Sequence, residues 1–216
     1  MPTLTDKIID ASFSDHVLTD TDLNGLLDGT AASRYAMVNK ALKTGDLIKL
    51  RRGLYILNER YRQNKPSKFY LASRMVPHSY VSLESAMSYY GWIPERVTTV
   101  TSVHAGDRTK QFASSFGEFV FYRLLVNEFE FLTDIRRIEE INLQPFFIAS
   151  PLRALMDFVA IKKIDWKGIE YLTIGLRIEL DQLEKINRQD FLELKKVYRS
   201  RRALHFLESL KKALNK

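Results

Sequence analysis

Residues 30–57 read Thr30-Ala-Ala-Ser-Arg-Tyr-Ala-Met-Val-Asn-Lys-Ala-Leu-Lys-Thr44, then Gly45-Asp-Leu-Ile-Lys-Leu-Arg-Arg-Gly-Leu-Tyr-Ile-Leu57. The stretch up to Thr44 is free of proline and can open on Thr30 or Ser33 as an N-cap. It runs as a helix to Thr44, with Gly45 as the C′ glycine. Beyond Gly45, a pair of β-type runs, Leu47–Leu50 and Leu54–Leu57, flanks Arg51-Arg52-Gly53, which predicts a hairpin. Upstream, Leu4, Ile8, Ile9 and Phe13 lie at helical spacing. Asp20 or Thr21 can cap another helix across Leu23, Leu26 and Leu27, stopped at Gly29. Three helices followed by a hairpin read as a winged helix-turn-helix over residues 1–60.

The third helix divides by angle. At about 100° per residue, Ala31, Tyr35, Val38 and Leu42 form the side expected to pack on the first two helices. Ser33, Ala36, Met37, Lys40 and Thr44 fall opposite, with Lys43 at the edge and Arg34 toward the flank. Small, polar and basic residues on an outer face suit a DNA major groove, and Arg34 suits a phosphate. Lys49, Arg51 and Arg52 mark the wing, where cations neutralise phosphates or enter the minor groove. The expected DNA-binding set is therefore Ser33, Arg34, Ala36, Met37, Lys40, Lys43, Lys49, Arg51 and Arg52. The same charges also read as a solvated surface, and winged helices also dock proteins.

Charge supports the DNA reading by its placement. The net +7 resolves into −5 over residues 1–29, +5 over 30–58, +4 over 59–80, −3 over 81–150 and +6 over 151–216. A basic block after an acidic one suggests one face turned toward a polyanion and another turned away. Apolar content of 45% and charged content of 27% describe an ordinary globular chain. Residues 1–10 contain no apolar signal core, and no run is long enough to span a membrane. With no cysteine there are no disulfides and no thiolate chemistry. A cytoplasmic protein is expected.

Residues 59–65 read as a polar linker, with Pro66 in the first turn of a helix through Met75. That predicts a second unit, 61–216, which folds separately. Ser82 can cap a helix with Leu83, Ala86, Met87 and Tyr90 inward and Gly91 at its end. Val97–His104 and Glu118–Leu125 read as strands paired across a polar turn. Ser150-Pro151 opens a helix, and helices follow at about 166–174, 176–185, 188–199 and 201–214. The whole is α+β: a winged helix, then a mixed α/β region with a small sheet and a helical C-terminal region. Lys195, Lys196, Arg199, Arg201 and Arg202 form the densest basic run, read as a solvated helix end or as a polyanion or partner contact.

Signs of catalysis are sparse. The four histidines fit no ligand spacing, and His104 with Asp107 is the nearest approach to a metal pair. Phosphate loops and the hydrolase elbow are absent. Ser82, Glu84 and Ser85 read as helix-start residues. Asp107 and Glu118 flank a turn as a nuclease pair would, but no Glu-x-Lys follows. The chain is expected to use no cofactor and no metal, and not to be an enzyme.

Three separated segments resemble one family. Gly45 through Tyr55 is similar to the wing of the AbiEi-type antitoxins, transcriptional regulators associated with viral defence. Ser79-Tyr-Val-Ser82-Leu-Glu-Ser85-Ala86 through Gly91 resembles that family's strand-into-helix segment. Ile148-Ala-Ser-Pro151-Leu-Arg-Ala154-Leu155-Met-Asp157 resembles its Ala-Ser-Pro helix start, except that Leu152 stands where the family usually has Glu. The likeness spans roughly residues 20–160.

The resemblance implies the antitoxin of a type IV toxin–antitoxin pair. Such a protein represses its own operon through inverted repeats in double-stranded DNA and counteracts a neighbouring nucleotidyltransferase-like toxin. On that reading residues 66–216 alone would suppress the toxin, with Lys195, Arg199 and Arg202 the first place to look. Two other classes stay open: a stand-alone winged-helix regulator whose C-terminal region binds a ligand or dimerises, and a nuclease that docks through its head.

Overall fold

The computed structural model describes residues 2–139 and 144–216. The head runs α1 (Leu4–Asp10), β1 (Leu18–Thr19), α2 (Asp20–Leu26), α3 (Ala31–Lys43), β2 (Leu47–Arg51) and β3 (Leu54–Leu57). Its helices start on side-chain caps. Thr3 with Asp6, and Thr19 with Asp22, form reciprocal capping boxes, and the Thr30 hydroxyl accepts from the Ser33 N–H. Thr19, rather than Asp20 or Thr21, therefore caps α2. This helix stops at Leu26, before Gly29, because Leu27 turns to extended backbone at φ −110 and ψ 128. Gly45, at φ +73, supplies the left-handed turn after α3.

The strands of the head order as β1-β3-β2, all antiparallel, with β3 in the middle. Arg51 pairs with Leu54, so the turn is Arg52-Gly53, and a bulge lies between Lys49 and Arg51. Every residue of β3 is buried. Tyr55 and Leu57 join Leu4, Ile8, Leu23 and Leu47 in the core of the head. Leu54 and Ile56 join a second cluster with Tyr70, Leu71, Met75, Val100, Phe119 and Phe121. The hairpin thus has helices on one face and the rest of the protein on the other. Burial of each such side chain stabilises by about 1.5–3 kcal/mol, so the seam at residue 60 is a shared core and not a polar hinge.

The body contains α4 (Lys68–Met75), β4 (Tyr80–Val81), α5 (Leu83–Tyr89), β5 (Val100–His104), β6 (Lys110–Ser114) and β7 (Gly117–Arg123). It continues with β8 (Ile135–Ile138), β9 (Phe146–Ala149), α6 (Pro151–Lys162), α7 (Leu180–Glu184), α8 (Arg188–Val197) and α9 (Arg201–Ala213). Its six-stranded sheet is ordered β6-β7-β5-β4-β9-β8. Phe119 and Phe121 of β7 face the hairpin cluster, while Tyr122 packs with α5 and α6 residues in the largest core. The fold is α+β.

Two expectations about the body change. The antiparallel partner of β7 is β6, not β5, which runs parallel to β7 with Val100 beside Phe119. Phe112 is the one large apolar residue of β6, which left that strand reading as polar turn. The helices expected at 166–174 and 176–185 shrink to a π-helical turn, Tyr171–Gly175, and to α7. Arg177, at φ 53, breaks the run, and each short turn is held by one buried leucine, Leu172 or Leu183.

Candidate nucleic-acid interface

The inward stripe of α3 is Met37, Val38, Ala41 and Leu42, which pack with the core of the head. This shifts the expected wheel. Ala31 and Tyr35 are exposed, Tyr35 by 71%, so neither belongs to the inner face. Met37 belongs to that face and is not an outward contact. The phase follows the residues that meet Leu4, Leu23 and Leu47, and tyrosine, with its polar tip, tolerates solvent. Arg34 also turns inward: it is half-buried, and its Nε has no hydrogen-bond partner among the described residues.

Ser33, Ala36, Lys40 and Lys43 remain exposed as expected, with Tyr35 added to them. The Ser33 hydroxyl donates to the Thr30 carbonyl at 2.9 Å, which holds it at the first turn. Neither Lys40 nor Lys43 joins an ion pair among the described residues. The outer face of α3 is thus small, hydroxylic and cationic.

The hairpin contributes fewer free cations than expected. Lys49 and Arg52 are exposed, but Arg51 is tied down. Its Nε donates to the Met75 carbonyl at 2.7 Å and its Nη1 to the Arg52 carbonyl at 2.9 Å. The hairpin is clamped to the C-terminal end of α4 by this side chain. Gly53, at φ +72, holds a conformation that favours glycine, and a Cβ there would lie 2.8 Å from Asp20 Oδ2, so the exposed Asp20 carboxylate would have to move aside. An acid therefore stands at the wing turn, and the two charge blocks are not fully segregated.

Most other acids of the head have local work. The Thr3 backbone N–H, followed by the Thr3 hydroxyl, lowers the pKa of Asp6, and Thr19 does the same for Asp22. Lys7 lowers that of Asp28 through a 2.8 Å ion pair. Burial opposes ionisation of Asp15, but bonds from Asn64 and the Gln63 N–H outweigh it and leave its pKa lowered. These acids organise caps and the connection to residues 63–64.

The C-terminal basic run does not form one free surface. Lys195 pairs with Glu208 at 2.9 Å and Arg202 with Asp165 at 2.7 Å. Lys196, Arg199 and Arg201 are exposed, with Arg199 in the loop between α8 and α9. Helix α8 ends at Val197 rather than 199, because Tyr198 turns its ring into the protein.

That ring reaches a buried polar network that the sequence reading missed. Arg153 and Asp157, one turn apart on α6, have no exposed side-chain surface. Arg153 Nε donates to Asp157 Oδ1 at 2.9 Å, and its Nη2 to the Tyr80 hydroxyl at 2.7 Å. Tyr80, Ser82 and Tyr198 all donate to the Asp157 carboxylate, at 3.0, 2.7 and 2.7 Å. Arg153 Nη1 donates to the Thr133 carbonyl at 3.0 Å. Burial raises the pKa of both tyrosines well above the ordinary phenol range.

Ser82 stands at the N-cap of α5, as expected, but makes no side-chain cap bond there; its hydroxyl serves Asp157 instead. The network joins β4, α6 and the α8–α9 junction, and its enclosure from solvent suits a structural lock better than a reaction centre. One signal for it was legible: an Arg and an Asp four residues apart within the apolar run Leu152-Arg-Ala-Leu-Met-Asp-Phe-Val159.

His104 has a similar structural role. The Gly106 N–H donates to its Nδ1 at 3.1 Å, and its Nε2 lies 2.9 Å from the Arg108 carbonyl, so both nitrogens are used by the turn. Among the described residues no three His, Asp or Glu side chains are grouped to hold a metal. No described helix is long and apolar enough to cross a membrane.

No protein-family model matches the chain, and no curated protein is significantly similar to it.

Proposed function

We propose that the chain is a double-stranded DNA-binding transcriptional regulator whose residues 1–60 form a winged helix-turn-helix with α3 as the recognition helix. The observation that carries this reading is the head's topology, α1-β1-α2-α3-β2-β3 with β3 central, which turns a small, unpaired cationic face of α3 to solvent. Ser33, Ala36, Lys40 and Lys43, with Tyr35, would meet the major groove. Lys49 and Arg52 would add phosphate contacts. Arg51 and Met37 leave the proposed contact set, because the Met75 and Arg52 carbonyls hold the one and the core of the head packs the other; Arg34 stays at the flank.

On the strength of the motif resemblance, we further propose that the target is an inverted repeat in the chain's own promoter and that the protein is a type IV antitoxin. The test of DNA binding is a mobility-shift titration of the full chain against promoter and random duplex at two salt concentrations. Preference for the promoter that is lost in Lys40→Ala with Lys43→Ala supports the reading; equal affinity for both duplexes overturns it. The antitoxin role is tested by co-expression with a neighbouring nucleotidyltransferase-like gene product, scored by growth. The full chain failing to restore growth overturns the antitoxin role alone.

A further inference from the structure

Between head and body lies a cleft of about 540 Å³ into which the hairpin end, α4 and the turn after α4 all bring cationic or hydrogen-bonding groups. Arg51 and Arg74 supply fixed positive charge and His16 and His78 supply ring nitrogens, while the Ser73 hydroxyl and the Gln144 amide on the wall donate to the Tyr70 and Asp15 carbonyls. The described lining contains no carboxylate. Arg51 has committed Nε and Nη1 to carbonyls, which aims its guanidinium and leaves Nη2 uncommitted among the described residues. Arg74 and His78 are exposed and make no hydrogen bond to another described residue through their side chains, although Arg74 lies near enough to Asp22 to favour that acid's charged form. His78 sits at φ 60, a conformation uncommon for a residue with a side chain. The turn is pinned there by Ser79, whose hydroxyl donates to the Val76 carbonyl at 2.7 Å.

Past His78, Ser79 and Phe147 the cleft adjoins a second recess of about 390 Å³, completed by Phe129, Phe131 and Leu132 with Glu128 at its edge. Phe129 is 96% exposed, Leu132 64% and Phe147 45%. An exposed apolar group of this kind beside convergent cations is unusual on a monomer surface unless it receives something. Its position on β9 explains Phe147: its neighbours Phe146 and Ile148 are buried, and the strand's alternation turns it outward.

We propose that this seam binds a nucleoside monophosphate, with the phosphate between Arg74, Arg51 and His78 and the base against Phe147. Arginine suits phosphate through its planar fork of donors. An aromatic face suits a base through stacking. The volume suits a ligand of this size. Arg51 belongs both to the hairpin and to the cleft, so occupancy would be felt at the wing. That consequence rests on the DNA-binding reading; the site itself does not.

The experiment is calorimetric titration of the full chain with adenosine and guanosine monophosphates, with inorganic phosphate and adenosine as separate arms. Saturable binding of at least one nucleotide is expected, weakened about tenfold or more in Arg74→Ala and severalfold in Phe147→Ala. Lys195→Ala should leave it unchanged. Both test residues are exposed enough for the variants to fold, which a melting curve checks.

Absence of saturable nucleotide binding, or binding indifferent to both variants, overturns the proposal. Inorganic phosphate bound as tightly as the nucleotide removes Phe147 as a base platform and overturns it also. If no nucleotide binds while Arg74→Ala weakens binding to duplex, the cleft holds DNA phosphates and the proposal fails while the DNA reading stands. If nucleotides bind as expected and the promoter is not preferred over random duplex, the site survives and the regulator reading fails.

Discussion

Replacing Asp157 with alanine would test whether the enclosed network holds the body together. The carboxylate accepts from Arg153 Nε and from the hydroxyls of Tyr80, Ser82 and Tyr198. Its removal leaves a guanidinium with no exposed side-chain surface and without its counter-charge. Breaking a buried pair from one side costs about 3–5 kcal/mol, against a total stability of about 5–15 kcal/mol for a domain. The three hydroxyls lose their acceptor as well, so the upper end of that range is expected. Arg153→Ala should cost a comparable amount. The double variant should cost about 1–3 kcal/mol less than the two single losses added, since neither then strands a charge. The measurement is urea unfolding followed by far-ultraviolet circular dichroism, with the four members of the cycle compared at constant slope. A loss below about 1 kcal/mol for Asp157→Ala, or strict additivity in the double variant, would refute the lock.

The same network predicts lability in alkali. Tyr80 and Tyr198 have folded pKa values raised by burial, so their stabilisation is complete below the unfolded value near 10 and is lost as pH rises through the folded values. Stability should fall above about pH 10 by about 1.4 kcal/mol per pH unit for each tyrosine, and a Tyr198→Phe variant should show a shallower decline in pH-dependent unfolding. If the chain binds DNA as proposed, Lys49→Ala with Arg52→Ala should lower the salt slope of binding by about 1.8 units. Arg51→Ala should instead lower the melting temperature with little change in slope; a full unit of slope lost would show that the wing opens on DNA. Gly53→Ala should destabilise by about 1 kcal/mol, because it forces φ +72 on alanine against Asp20; an unchanged melting temperature would refute that. A fragment of residues 61–216 should aggregate or bind a hydrophobic dye, since it uncovers Val100, Phe119 and Phe121; a monomeric, cooperatively melting fragment would show the seam to be dispensable.

Much of the head was legible because its signals are local. Caps, a C′ glycine and a two-run hairpin act within four or five residues, so Thr30, Gly45 and the paired strands could be read directly. The phase of α3 was less so: Tyr35 and Met37 differ in burial only because of what α1 and β2 place opposite them. In the body, Ser150-Pro151 was legible as a helix start, while β6 was not, since its one large apolar residue needs β7 to become a strand. The second half of 166–185 misled because an apolar pattern can be met by short turns as well as by a helix.

The sequence by itself determined the α+β composition, the three helices and hairpin of the head, and the cationic composition of α3 and the wing. Tertiary structure alone decided which of those cations are free. Arg51 is held by the Met75 and Arg52 carbonyls and Arg34 is half-buried, while Lys40, Lys43, Lys49 and Arg52 remain in solvent. It also decided that head and body share a core. Leu54-Tyr55-Ile56-Leu57 carries no charged residue and is buried throughout, and a strand with that pattern needs cover on both faces. The pattern records the need for cover, but the body residues that cover Leu54 and Ile56, Tyr70 to Phe121, lie 14 to 67 positions further along the chain, beyond the reach of any local signal.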